Sequence, residues 1–175
     1  MKLINDDCLV ALKNMESKSI DCIITDPPYG ITSCKWDTVL DLDALWYELK
    51  RVIKPNKATI LMAGQPFTSR LIMSNPIDFK YSWVWEKEQG TNFPMAKKQP
   101  LKVHEDICVF YAKQCLYKPQ GLKDCCIEKG GKNKFRKDNL FSGNGLGLTK
   151  KYIQKKTGYP KSIQKFNRET GLHPT

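Results

Sequence analysis

Along the first 112 residues, short β-branched apolar runs alternate with stripes that recur every three or four positions. Leu3-Ile4-Asn5 reads as a short strand, and Asp6 or Asp7 caps a following helix in which Leu9, Leu12 and Met15 share a face. Ile20 to Thr25 is apolar and β-branched, the pattern of a strand buried on both faces. Leu42, Leu45, Trp46, Leu49, Val52 and Ile53 fall on one helical stripe, which ends in Lys50, Arg51 and Lys54 and stops at Pro55. Residues 58–63 predict a second buried strand and 66–74 a short helix. Beyond Pro76 the period becomes two: Phe79, Tyr81, Trp83 and Trp85 alternate with Lys80, Ser82, Val84 and Glu86, and 106–112 make a partner strand. The roughly 20 residues between those strands form a long connection, the length at which loops carry function.

This order predicts an α/β fold, an open and mainly parallel sheet whose final strands are antiparallel. Residues 113–175 are rich in Gly and Lys and weak in periodicity, and they predict a loop-rich segment. The chain therefore divides into an α/β part at 1–112 and a basic part at 113–175. At 175 residues, one principal core is the expectation. No apolar run approaches the ~20 residues of a membrane helix, and the acidic Asp6-Asp7 interrupts any leader-like pattern, so a cytoplasmic protein with no membrane partner is expected. None of the seven cysteines forms Cys-x-x-Cys, so neither a zinc site nor another metal site is expected, and the thiols should be reduced and packed as small hydrophobes.

Charge adds a partner. Residues 1–112 hold 14 Lys/Arg against 14 Asp/Glu, whereas 113–175 hold 15 against 4, so all of the net +11 lies in the second part. Such asymmetry suits a polyanion, and nucleic acid is the commonest.

The sharpest chemical feature is Asp26-Pro27-Pro28-Tyr29-Gly30, directly after the second predicted strand. Ligands of open α/β sheets gather at the carboxyl ends of strands. The two prolines stiffen the turn and remove two amide donors, so backbone carbonyls stand as acceptors beside one carboxylate and one aromatic face. Two acceptors and a stacking surface suit a planar group bearing an exocyclic NH2.

That pentapeptide, with Asp7-Cys8-Leu9 and the strand before it, resembles the amino-methylating DNA methyltransferases of the beta circular order. So do Lys35-Trp36-Asp37, Gln65-Pro66-Phe67-Thr68-Ser69, residues 163–168 and Gly171-Leu172-His173-Pro174-Thr175. The resemblance implies a partial Rossmann-like methyltransferase sheet followed by a target-recognition segment. It implies transfer of a methyl group from S-adenosylmethionine to adenine N6 in double-stranded DNA, of the phage or restriction-modification type. Asp26 and the Pro27 carbonyl would accept from the amine, Pro28 would stiffen the turn, and Tyr29 would stack on the flipped base. On that reading the Tyr29 ring matters and its hydroxyl does not. Asp7, His173 and Thr175 match cofactor-contacting positions. Lys150, Lys151, Lys155 and Lys156 are the expected DNA-phosphate contacts. His104-Glu105-Asp106 matches a segment lining the target pocket.

One departure stands out. The family's Phe-x-Gly-x-Gly cofactor turn follows a segment that only begins at His173-Pro174-Thr175, so the resemblance implies that it lies beyond Thr175, in a continuation or a second polypeptide. Phe141-Ser142-Gly143-Asn144-Gly145 spells the same pattern but follows a lysine-rich stretch that cannot be a buried strand, which favours a recognition loop. N4-cytosine methylation, usually with Ser at the position of Asp26, and a non-catalytic DNA-binding remnant are the alternatives.

Overall fold

A computed structural model describes residues 2–129 and 152–166. Its main sheet has the order β1 (Ile23–Thr25), β2 (Thr59–Ala63), β4 (Lys102–Phe110), β3 (Phe79–Thr91) and β7 (Ile163–Lys165). β1 and β2 are parallel, as are β3 and β7, while β4 runs antiparallel to both of its neighbours. Four of these five strands therefore point one way, and the antiparallel pairing falls at β3 and β4, as the pattern predicts. Helices α1 (Cys8–Lys13), α2 (Leu42–Val52) and α3 (Phe67–Ser74) complete the layer structure.

Local signals place the helices. The Asp7 carboxylate accepts from the amides of Leu9 and Val10 and starts α1. Asp41 does the same for α2 through Asp43 and Ala44. Each cap satisfies amides that have no partner within the helix. The stripe on α2 is buried as expected at Leu42, Leu45, Trp46, Leu49 and Val52. Beneath it lie Leu61, Ala63, Leu71, Cys108 and Phe110, each at most 2% exposed. Burying a side chain of this size contributes roughly 1.5–3 kcal/mol, so this cluster dominates the stability of the unit. Polar contacts then fix the helices to one another. Arg51 donates to the carbonyls of Leu12 (2.6 Å) and Met15 (2.7 Å), closing the end of α1, and Trp46 Nε1 donates to Ser74 Oγ on α3 at 2.7 Å.

Several expectations change. Leu3-Ile4-Asn5 is not a strand, and Leu3 is 83% exposed. β1 is shorter than its apolar run, Ile20 forms only an isolated bridge to Ile53, and Ile24 lies exposed instead of buried on both faces. A strand needs a paired neighbour as well as a pattern, and among the described residues β1 pairs on one edge only. The long connection after β3 shrinks, because β3 and β4 extend toward each other and leave only residues 92–101. Among the cysteines, all free, Cys108 alone is buried, and that burial pushes its thiol up to about 12.

The basic segment is also not one body. Contacts divide the chain into Met1–Tyr117 with Lys161–Thr175, and Lys118–Pro160. β7 returns to the main sheet beside β3, which places 163–165 in the first unit and departs from a boundary at 113. The second unit contains an antiparallel pair, β5 (Lys123–Lys129) and β6 (Tyr152–Thr157), where a loop-rich stretch is expected. Both strands are mostly exposed, so their weak apolar signal conceals them.

Candidate active site

β1 ends at Thr25, and the chain enters Asp26-Pro27-Pro28-Tyr29-Gly30 at the carboxyl end of the parallel pair. Pro27 is buried and Pro28 half-buried, which anchors the turn, while Asp26 stays exposed. Gly30 has φ of +69°, and a Cβ there would lie 2.6 Å from Val39 Cγ2, so the position needs glycine on both counts.

The rest of the loop hangs on Asp37, for which the sequence suggested no role. Its Oδ1 accepts from Gly30 N at 2.7 Å, and its Oδ2 from Ile31 N at 2.9 Å and Thr32 N at 2.7 Å. One carboxylate thus satisfies three consecutive amides and fixes the direction in which the chain leaves Tyr29. The Thr32 hydroxyl first, and then these amides, hold its pKa down to about 2 against an ordinary 3.8. A depressed folded-state value means that ionised Asp37 stabilises the fold above the unfolded value, and that this contribution fades as pH falls toward about 2. In urea titrations, the difference between wild type and Asp37→Asn should be constant above about pH 5 and shrink as pH falls from there toward about 2. A difference that keeps its full size down to pH 2 would contradict this role.

Tyr29 is not a free ring. Its hydroxyl donates to Asp26 Oδ1 at 2.6 Å, and its ring stacks on Phe67 at 5.4 Å between centroids, with 18° between the planes. Phe67, buried at the start of α3, backs one face of the ring. Burial, followed by the hydrogen bond to Asp26, raises the phenol well above its ordinary pKa and keeps it a neutral donor. The site therefore offers a carboxylate with one oxygen already held, a stiff Pro-Pro carbonyl turn and one aromatic face. Such a set can orient an exocyclic amine.

The remaining candidates are dispersed. Asp7 caps α1 through Oδ1, and among the described residues its Oδ2 has no partner. His173 and Thr175 lie outside the described residues, as do Lys150, Lys151 and the Phe141–Gly145 motif. Lys155 and Lys156 are successive residues of β6, so they face opposite sides of the strand and cannot both meet one surface. Lys156 also pairs with Asp124 at 2.6 Å. In the segment 104–106, His104 is exposed, Glu105 pairs with Lys87, and Asp106 accepts from Thr68 Oγ1 at 2.7 Å. The sequence also missed Gly64, after β2, where an added Cβ would collide with Lys102 Nζ and sit 3.6 Å from Tyr29 Cε2. Lys102 thus brings an ammonium to the edge of the site, a contact between positions 38 residues apart that no local motif announces.

No protein-family model matches the sequence. Over 122 residues the chain is 30% identical to the type II methyltransferase M.HpaI of Haemophilus parainfluenzae, a match covering 62% of this chain and 38% of that protein. The PvuII DNA methyltransferase, described as cytosine-N4-specific, matches 96% of this chain and 57% of its own at 11% identity, with a TM-score of 0.56. The M1.HpyAVI–SAM complex matches 63% of this chain and 53% of its own at 17% identity, with a TM-score of 0.43. The chain thus spans less than two thirds of the length of each of these proteins. The PvuII match agrees with the sheet: the fold is of the Rossmann-like methyltransferase type.

Proposed function

We propose that this chain, a relative of the beta-group amino DNA methyltransferases, carries the target-base side of an enzyme that methylates the exocyclic N6 amine of adenine in double-stranded DNA. One observation supports the reading above the rest. Asp26 and the Pro27-Pro28 turn stand at the carboxyl end of β1, with the Tyr29 hydroxyl held by Asp26 and its ring backed by Phe67. S-adenosylmethionine, when bound, supplies an electrophilic methyl group, and the free Oδ2 of Asp7 is a suitable acceptor for one of its hydroxyl or ammonium groups.

The chain's own residues act on the amine. An aromatic amine is a poor nucleophile because its lone pair is delocalised into the ring. Asp26 Oδ2 and the Pro27 carbonyl would accept its two hydrogens out of the base plane, which would concentrate the lone pair on nitrogen for attack on an electrophilic methyl group. S-adenosylmethionine would give up the methyl from sulfur and leave as the neutral thioether, and the extra proton on the methylated nitrogen would pass to water. Rate enhancement comes from positioning and from fixed acceptors, with no covalent enzyme intermediate. The base must first leave the duplex, which costs roughly a few kcal/mol, and stacking of Tyr29 against it returns part of that.

N4-cytosine methylation is the second reading, favoured by what the PvuII enzyme is described to act on. Asp26 supports adenine, because the cytosine enzymes of this resemblance usually carry Ser there. Nucleoside analysis of DNA from cells expressing the gene decides between them: N6-methyladenine is expected, and N4-methylcytosine would establish the second reading. DNA binding with neither modified base and no binding of S-adenosylmethionine would establish a non-catalytic remnant.

A further inference from the structure

The β3–β4 connection, residues 92–101, lies at the same end of the sheet as the Asp26 turn. β1, β2 and β3 share a direction, so their carboxyl ends sit together, and β4 begins there at Lys102. The β3–β4 ribbon also runs on for four residues past the Ala63–Asp106 pair. Residues 92–102 hold three lysines and no acid. Lys97, Lys98 and Lys102 have no ion-pair partner among the described residues.

The connection is also ordered by its own backbone. Asn92 takes a left-handed conformation at φ +69°, Pro94 stiffens the following single 3-10 turn, and four amide-to-carbonyl bonds of 2.8 to 3.0 Å close residues 92–99. At its tip Phe93 is held 75% exposed. A lone exposed apolar side chain needs no explanation. A phenyl ring presented on a closed turn, in a segment with three lysines that have no ion-pair partner among the described residues and at the same end of the sheet as the Asp26 turn, does.

Taking DNA as the substrate, as proposed above, we propose that this connection is the strand-opening element. Phe93 enters the base stack as a wedge and fills the gap left by the extruded base, and Lys97, Lys98 and Lys102 hold the flanking phosphates. An apolar wedge stabilises a locally unstacked duplex, and ammonium groups on the backbone position it without reading sequence. Lys102, which passes over Gly64 beside Tyr29, places an ammonium beside the captured nucleotide.

The test is equilibrium binding of the full chain to two labelled duplexes of one arbitrary sequence, one fully paired and one with a single abasic position. A wedge fills the abasic gap without extruding a base, so wild type should prefer that duplex by about 5- to 100-fold, the worth of one aromatic–base stack. Phe93→Ala should lose the preference at an unchanged salt slope, and Phe93→Trp should keep it, which separates stacking from folding. Changing Lys97, Lys98 and Lys102 together to Gln should keep the preference and flatten the log–log salt slope by roughly 0.9 per lost contact. A wild type that binds duplex but shows no abasic preference, or a Phe93→Ala that retains it, overturns the wedge. So does loss of the preference in Trp36→Ala, a 73% exposed aromatic on the neighbouring loop. A slope that moves with Lys155→Gln and not with the triple variant overturns the phosphate contacts. A wild type with no salt-dependent duplex binding overturns the DNA reading itself.

Discussion

Asp26→Ala should lower methyl transfer by roughly 10²–10³-fold in kcat, the loss seen when one fixed electrostatic partner is removed from a reacting centre. On the proposed reading the substitution deletes the acceptor for a hydrogen of the target amine, and it also releases the Tyr29 hydroxyl that Asp26 now holds at 2.6 Å. Because Asp26 is exposed and buries no apolar surface, the urea midpoint should stay within experimental error of wild type. Asp26→Asn is the sharper probe. It keeps the size and one acceptor, but its NH2 group brings two donors toward an amine that needs acceptors. Most activity should therefore be lost in Asn as well. The measurement is single-turnover methyl transfer with unfolding curves in parallel, and a fully active Asp26→Ala would end the mechanism.

Tyr29 separates into ring and hydroxyl, and the two should fail differently. Tyr29→Ala removes the stack on Phe67 and, on the proposed reading, the surface for the flipped base, so KM for DNA should rise by about 5- to 100-fold through lost stacking. On its sequence motif alone, Tyr29→Phe is expected to be nearly silent. The hydrogen bond to Asp26 changes that expectation, because the phenol holds Oδ1 and thereby aims Oδ2. Loss of one such bond should lower kcat by roughly three- to tenfold while leaving KM for DNA close to wild type. An unchanged kcat in Tyr29→Phe would return the residue to a purely stacking role. A rise in KM without a fall in kcat would show that the hydroxyl serves binding alone.

The charge asymmetry was a weaker guide than the motif. It directs attention to the basic second part, yet Lys156 is paired with Asp124, and Lys155 faces the other side of β6. An unpaired cation beside Tyr29, Lys102 at the start of β4, belongs instead to the nominally neutral first part. A net charge records how many ions a segment carries and says nothing about which are already neutralised across a strand pair.

What the sequence determined by itself is the part governed by neighbours in the chain. The caps at Asp7 and Asp41, the apolar stripe of α2, the Thr59–Ala63 strand and the turn that lifts Asp26 and Tyr29 from a strand end all arise within a dozen residues. Local hydrogen bonding and a fixed side-chain period suffice to specify them. What only the tertiary structure decided depends on partners distant in sequence. β1 is short because strand length follows pairing, and β7 joins β3 although it stands about 80 positions later along the chain. The β5–β6 pair is hidden because an exposed two-stranded ribbon needs no apolar alternation. Within the site, Phe67 backs Tyr29 and Lys102 crosses Gly64 only once the sheet has been assembled, and the Asp37 clasp forms only when the loop folds back on itself. Residue types reveal which chemistry is possible, whereas packing decides which of those groups meet and which oxygen of Asp26 remains free to act.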